Sequence, residues 1–396
     1  MSSEEVFLKH LAQTSPFPLK IEAEKAEGSY IYGTDGKAYL DFISGIAVSN
    51  IGHRHPKVVA AIKSQLDRYM HVMAYGEFIQ TPQNELAQLI TAQLPLSLDC
   101  CYFVNSGTEA NEAALKLAKR VTGRTGLVSC RGAYHGSTHG SLSVSGNEVK
   151  KYAFRPLLPD VKFMNFGSEA DLELIDQNTA AVIIEPIQGD SGVRIPATAY
   201  LQALRQRCNE TGALLIFDEI QTGFGRTGKL FAFEHFQVVP DILTIAKAMG
   251  GGMPMGAFIS AHEHMQKLTF DPMLGHITTF GGHPVNCAAG LANLQVILEE
   301  NLLTQVEAKG ALIEQLIAHP AIVEIRRMGL MFAVEFESEE LVQKIVDRCI
   351  EKGVITYFFL SCRESFRLAP PLNVTTEEIE KGCHIIREAI VECLEP

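Results

Sequence analysis

The chain of 396 residues contains no apolar run near the ~18 residues that a bilayer span requires. Its opening, Met1-Ser-Ser-Glu-Glu5, has neither a basic n-region nor a hydrophobic h-region, so no export signal is expected. Nine cysteines form no C-x-x-C pair and their number is odd, which argues against a zinc site or a disulfide framework. They fall mostly in apolar or helical stretches and read as reduced, buried thiols of a cytoplasmic protein. Basic residues are in deficit, 34 against 46 acidic, for a formal net charge of −12. Such a balance disfavours nucleic acid and anionic membranes as partners. There is no internal repeat and no low-complexity segment. What is present is an apolar share of 46%, enough for a large core divided among two or three domains.

Three regions differ in pattern. Tyr30–Phe42 carries aromatic and β-branched runs around Asp35-Gly36 and predicts a hairpin. A helix is expected from Pro56, with Val58, Val59, Ile62 and Leu66 on one face. From about 95 to 290, short apolar runs alternate with helical stretches: Cys101–Val104, Leu127–Cys130, Ala181–Ile184, Ala213–Phe217, Ile242–Ala246 and Ala257–Ser260. Continuous apolar strands of this kind predict a mainly parallel sheet covered on both faces. From about 300, strand-like Leu330–Phe336, a helix near 338–352, Val354–Tyr357, Phe366–Leu368 and a final helix predict a smaller α+β unit. Thr375-x-x-Glu378 has the spacing of a capping box for that last helix.

In open parallel sheets ligands collect beyond the carboxyl ends of the strands. The first run is followed by Asn105-Ser-Gly-Thr-Glu109, where Ser106 and Glu109 have capping-box spacing and Gly107 permits close backbone approach. Read bluntly this is a helix start; read functionally, its amides with Ser106 and Thr108 make a phosphate seat. The runs ending at 184, 217 and 246 are followed by Glu185, Asp218 and Lys247. One carboxylate at a strand end is usually a cap or an ion-pair partner. Three ionisable groups at three strand ends converge in a low-dielectric crevice, where a desolvated lysine becomes a neutral nucleophile. A phosphate seat, that lysine and a buried carboxylate together meet the needs of pyridoxal 5'-phosphate.

Two decoys accompany them. Gly223-Phe-Gly-Arg-Thr-Gly228 matches the dinucleotide fingerprint G-x-G-x-x-G and raises a nicotinamide oxidoreductase as an alternative. It neither follows its strand directly nor opens a clear helix. The histidine pairs 53/55, 135/139 and 262/264 lack metal-site spacing, so no metal is expected and surface or core roles are the default.

With Tyr39-Leu-Asp-Phe42, Leu215–Gly228, Pro240–Lys247 and Phe366-Arg-Leu-Ala-Pro-Pro371 in order, the chain resembles the class III pyridoxal-phosphate-dependent aminotransferases of fold type I. The likeness is greatest to the acetylornithine, ornithine and 4-aminobutyrate branch. It implies an α/β fold whose large domain, 56–300, has a mostly parallel sheet of the seven-stranded type. A smaller α+β domain would be formed by 1–55 and 301–396 from both chain ends, and two copies would share their active sites as a homodimer.

Carried over by position, Lys247 matches the lysine that holds the cofactor covalently, Asp218 the partner of the ring nitrogen, and Gln221 a residue near the ring hydroxyl. Ile220 and Tyr134 match the contacts on the two ring faces, and Ser106, Gly107 and Thr108 the phosphate loop. Thr279 matches a threonine reaching the neighbouring subunit's phosphate, and Glu185 a glutamate close to the cofactor. Arg367 matches the arginine that grips a substrate carboxylate, its planar guanidinium donating two parallel hydrogen bonds. Asp190, one methylene shorter than the usual glutamate, stands where that arginine finds its partner. Ile46 resembles acetylornithine-type members, whereas Ser137 replaces an arginine common to both branches. The implied activity is transfer of an amino group, from acetylornithine, ornithine or a related ω-amine, to a 2-oxo acid such as 2-oxoglutarate. A racemase or aminomutase on the same scaffold is the alternative.

Overall fold

A computed structural model describes residues 1–74 and 76–394. Near the N-terminus β1 (Ala23–Glu27), β2 (Tyr30–Gly33) and β3 (Ala38–Asp41) form an antiparallel meander. The β2–β3 turn is the predicted one, and Gly36 supplies its left-handed φ of +80°. The helix Pro56–Arg68 follows as expected, but Leu66 is 43% exposed, so the buried face runs through Val58 and Gln65 instead.

The central sheet contains β4 (Cys100–Val104), β5 (Gly126–Cys130), β6 (Val161–Met164), β7 (Thr179–Ile184), β8 (Leu214–Asp218), β9 (Ile242–Ala246) and β10 (Gly256–Ser260). Their order is β4-β10-β9-β8-β7-β5-β6. Only β10 runs against its neighbours; the pairs from β9 through to β6 are parallel. Because β10 is antiparallel to both β4 and β9, those two run the same way, and the carboxyl ends of six strands share one edge. Six strands match the apolar runs of the sequence; β6 was not expected. Strands β7 and β9 are buried along their whole length, the pattern of a sheet covered on both faces. Helix Gly107–Thr122 covers one face with Ala113, Leu117 and Ala118, as its periodicity predicts.

The C-terminal region adds β11 (Glu324–Met328), β12 (Met331–Glu335), β13 (Val354–Ile355), β14 (Tyr357–Phe358) and β15 (Ser365–Leu368). The run read as one strand, Val354–Tyr357, divides at buried Thr356. Its first half pairs in parallel with β3 and its second half with β15, so a single connection ties the N-terminal sheet to the C-terminal one. The last helix, Thr376–Leu394, starts from the predicted capping box: Glu378 N donates to Thr375 Oγ1 at 3.2 Å, and Thr375 N to the Glu378 carboxylate at 2.9 Å. No described helix is long and apolar enough to cross a membrane.

Candidate active site

At the shared carboxyl edge lies a cleft of about 640 Å³. The strand order puts Asp218 in its middle, with Lys247 after β9 on one side and Glu185 after β7 on the other. Ser106, Gly107 and Thr108 line it from the end of β4, and Tyr134 from the loop after β5. Ile220 and Gln221, in the turn beyond β8, complete the set brought together here. The nine positions were read from segments scattered over more than a hundred residues; parallel strands deliver them to one place.

Asp218 is 4% exposed and held by three donors. Its Oδ2 accepts from Asn111 Nδ2 at 2.8 Å and lies 2.7 Å from His135 Nδ1, while Oδ1 accepts from Ile220 N at 3.1 Å. Asn111 is itself fixed: it donates to the His135 carbonyl, and its Oδ1 accepts from Thr244 Oγ1, each at 2.8 Å. His135, Asn111 and Thr244 were missed in the sequence. The only local signal was that His135 follows Tyr134 in a glycine-terminated loop; its default reading as a surface or core histidine agrees with its 2% exposure, but not even that reading showed its bond to Asp218.

Lys247 keeps some accessible surface because it faces the cleft, yet the walls crowd it. Loss of water lowers its pKa to about 8; Arg367 adds to the fall, while Asp218, Glu185 and Asp190 oppose it. Its φ of +48° is left-handed, costing ~1–2 kcal/mol for an L-residue, a strain that surrounding structure must offset. Burial pushes Glu185 up to about 7, with His135 opposing and Asp218 reinforcing. The Glu185 carboxylate accepts from Gly189 N at 3.2 Å and Tyr134 N at 3.3 Å, which fastens the loop bearing Tyr134.

The helix start read as a phosphate seat departs from its expected form in one bond. Ser106 Oγ accepts from Glu109 N at 3.3 Å, but the Glu109 carboxylate turns to Asn105 N at 2.6 Å, so the capping box is not reciprocal. The first-turn amides of a helix have no intrahelical partner and favour an anion. A Cβ on Gly107 would stand 2.7 Å from Ile220 Cδ1, and one on Gly136 2.3 Å from Thr108 Oγ1. Glycine at both places lets the helix start close on Ile220 and the loop after β5 close on Thr108. This donor set, an anion-binding helix start beside an anchored carboxylate and a lysine of lowered pKa, fits pyridoxal phosphate.

Three predicted residues stand apart from the cleft walls. Arg367, 6% exposed on β15, donates from Nη2 to Asp190 Oδ1 at 3.2 Å, stacks on Phe359 at 4.3 Å, and leaves a buried Nε without an acceptor. Asp190 is thus long enough to meet it. Thr279 is exposed and does not line the cleft of its own chain. Val48 rather than Ile46 reaches the cleft wall.

The dinucleotide-like glycines form a run of turns, not a strand-to-helix junction. Within them Arg226 is fully buried and donates to the carbonyls of Leu330 and Pro370 and to Asn50 Oδ1, a tie between distant segments. That geometry provides no pyrophosphate site.

Comparison with known proteins agrees with this chemistry. The acetylornithine aminotransferase of Methanopyrus kandleri is 39% identical over 96% of this chain and 96% of its own. The [LysW]-aminoadipate semialdehyde/glutamate semialdehyde transaminase of Sulfolobus acidocaldarius is 39% identical over 93% and 94%. Among solved structures, an ornithine aminotransferase from Toxoplasma gondii superposes with a TM-score of 0.91 at 29% identity, covering 98% of this chain and 93% of that one. The family model described as aminotransferase class-III matches residues 12–390, and the chain belongs to that family of pyridoxal-phosphate enzymes.

Proposed function

We propose that the protein transfers the ω-amino group of acetylornithine, ornithine or a related ω-amine to 2-oxoglutarate. The observation that carries this reading is the convergence of Lys247, anchored Asp218 and the Ser106–Thr108 helix start at one sheet edge. Pyridoxal phosphate, when bound, supplies an electron sink for the carbon that loses its proton. Lys247 Nζ, neutral above about pH 8, holds the cofactor and then takes and returns that proton. Asp218 keeps the ring nitrogen protonated, with His135 and Asn111 fixing its direction. The amides of the helix start, with the Ser106 and Thr108 hydroxyls, bind the phosphate. Tyr134 and Ile220, which line the cleft, would flank the ring, with Gln221 and Glu185 at its edge. Arg367 receives a substrate carboxylate, with Asp190 as its counter-ion when no carboxylate is there.

The enzyme acts as a homodimer in which Thr279 serves the partner's phosphate. This is supported by its exposure beside the exposed apolar side chains Met273, Leu274, Ile277 and Phe280. The division into 56–300 and a smaller domain of 1–55 with 301–396 is supported by the β3–β13 pairing. A cytoplasmic setting is supported by the free cysteines, several of them buried. The test is a panel of acetylornithine, ornithine and 4-aminobutyrate with 2-oxoglutarate, reading glutamate. Stoichiometric glutamate from at least one donor is expected; isomerised donor without glutamate would refute transfer.

A further inference from the structure

Lys151 is 2% exposed and lies outside the cleft walls. A buried ammonium is costly unless its three protons find acceptors. This one finds them. Its Nζ donates to the Ser145 carbonyl at 2.9 Å and to the Ser143 carbonyl at 3.3 Å, with a Glu148 carboxylate oxygen 3.1 Å away. The ring of Phe163, on β6, lies 4.1 Å from the same nitrogen.

Those two carbonyls stand at the end of helix His139–Val144, which leaves its last ones unpaired. The segment that carries them supports the loop after β5. Ser145 Oγ accepts from His135 N at 3.0 Å, and Gly146 N donates to the Ala133 carbonyl at 2.7 Å. A Cβ on Gly146 would stand 2.8 Å from Ala133 N, so the two backbones are in contact. From this loop Tyr134 lines the cleft and His135 Nδ1 reaches Asp218 Oδ2 at 2.7 Å. The backbone of His135 is held at two points, its amide by Ser145 and its carbonyl by Asn111 Nδ2. Asn111 already belongs to the Asp218 network; Ser145 is the anchor from outside it. The imidazole has no other guide, since its Nε2 is buried without a partner. One buried path therefore runs from the Lys151 ammonium through Ser145 and His135 to Asp218.

We infer that Lys151 is a positioning residue for amino transfer: by pinning the Ser143 and Ser145 carbonyls it holds the support from which His135 is aimed at Asp218. An apolar side chain of similar length would leave both carbonyls buried and unpaired, and they would turn toward water or another donor. The Ser145 backbone turns with them and His135 N follows. The bond to Asp218 then tilts, and hydrogen bonds weaken steeply with angle. Asp218, less firmly directed, serves the ring nitrogen less well. This assignment rests on the transaminase reading above and adds to it a residue remote from the cleft.

The test compares cofactor-loaded wild type, Lys151→Met, His135→Asn and the double variant by steady-state kinetics and by proton NMR in water. An imidazole N–H held by a carboxylate at 2.7 Å gives an exchangeable signal downfield of the amides, and His135→Asn should remove it. Lys151→Met should displace or broaden that signal and lower kcat about tenfold, with the KM for 2-oxoglutarate within about twofold because Arg367 is untouched. In the His135→Asn background Lys151→Met should cost no more than about a further twofold, since both act by one route. An unmoved signal or an unchanged kcat in Lys151→Met, or losses that multiply in the double variant, would overturn the inference. So would a wild type lacking any signal that His135→Asn removes, because the path would then end on no such bond. Should Lys151→Met fail to fold, Ser145→Ala takes its place. It removes only the hydroxyl that accepts from His135 N, and the same displacement is expected; an unmoved signal there refutes the path equally. A displaced signal in an enzyme that forms no glutamate from any donor sinks the transaminase reading alone. Full turnover with the signal intact in Lys151→Met sinks this one alone.

Discussion

Gly107 offers the sharpest test of how the proposed phosphate seat and ring wall are coupled. An added methyl would sit 2.7 Å from Ile220 Cδ1, 3.0 Å from Cγ2 and 3.1 Å from Cγ1. The Cδ1 atom can swing aside, but Cγ2 is fixed to a β-branched carbon, so Ile220 as a whole must move. In the apoenzyme it can lean into the cleft. With the ring bound against it that escape is closed, and the overpacking is felt on binding. Overpacking of this size costs ~1–3 kcal/mol, which is roughly a 5- to 150-fold rise in the cofactor Kd. Gly107→Ala should therefore leave the Tm of the apoenzyme within a degree or two while weakening cofactor retention, read by spectroscopic titration. Gly107→Ala with Ile220→Ala should regain most of the loss, because all three crowding atoms are gone. A double variant no better than the single, or a single variant that retains the cofactor like wild type, refutes the reasoning.

Lys247→Ala should abolish both turnover and the visible band of lysine-bound cofactor. In the native apoenzyme, covalent capture of the cofactor should slow as pH falls through about 8, where the amine protonates. Its folded pKa lies below the ordinary 10.5, so between about 8 and 10.5 only the unfolded chain holds that proton and this residue's contribution to stability rises with pH, levelling off below 8. Glu185, raised from 4.5 to about 7, has the opposite sign: the folded state keeps its proton in that interval, and stability declines as pH rises through it. Glu185→Gln should shrink this decline in urea titrations without removing it, since burial also raises Glu219 to about 7. Arg367→Ala should raise the KM for 2-oxoglutarate about tenfold or more with the cofactor Kd within about twofold. Its stability loss should fall below the ~3–5 kcal/mol of an orphaned buried charge, because Asp190 retains Lys150, Ser361 and the Leu360 amide. Equal losses of substrate and cofactor binding would count against the carboxylate role.

The central strands were legible because apolar runs buried on both faces end abruptly at polar residues. Edge strand β6 was not, since Val-Lys-Phe-Met is short, interrupted by an exposed lysine and buried only at Met164. Strand β11, Glu-Ile-Arg-Arg-Met, looks polar because Arg326 is buried there by bonds to the Gly192 carbonyl and Ser365, partners far away in sequence. The same limit hid the supports of the site. Asn111 lies on a helix whose visible signal is its alanine and leucine face, and nothing near it announces a carboxylate more than a hundred residues on. Strand ends advertise chemistry; the side chains that orient it come from anywhere.

The doublet Asp218-Glu219 shows where local reading must stop. Asp218 closes strand β8 and Glu219 follows it directly; both are buried, yet their carboxylates meet different partners. Asp218 faces the cleft. Glu219 accepts from Ala232 N at 2.6 Å, Phe233 N at 2.8 Å and Thr222 Oγ1 at 2.9 Å, so it is consumed in holding the next helix. What separates a reacting carboxylate from a supporting one is thus not burial but whether it lines the cleft and how far its acceptors are already filled by the backbone. Asp218 lines the cleft and takes a single backbone bond, from Ile220, beside its two side-chain donors, whereas Glu219 takes two backbone bonds and the Thr222 hydroxyl.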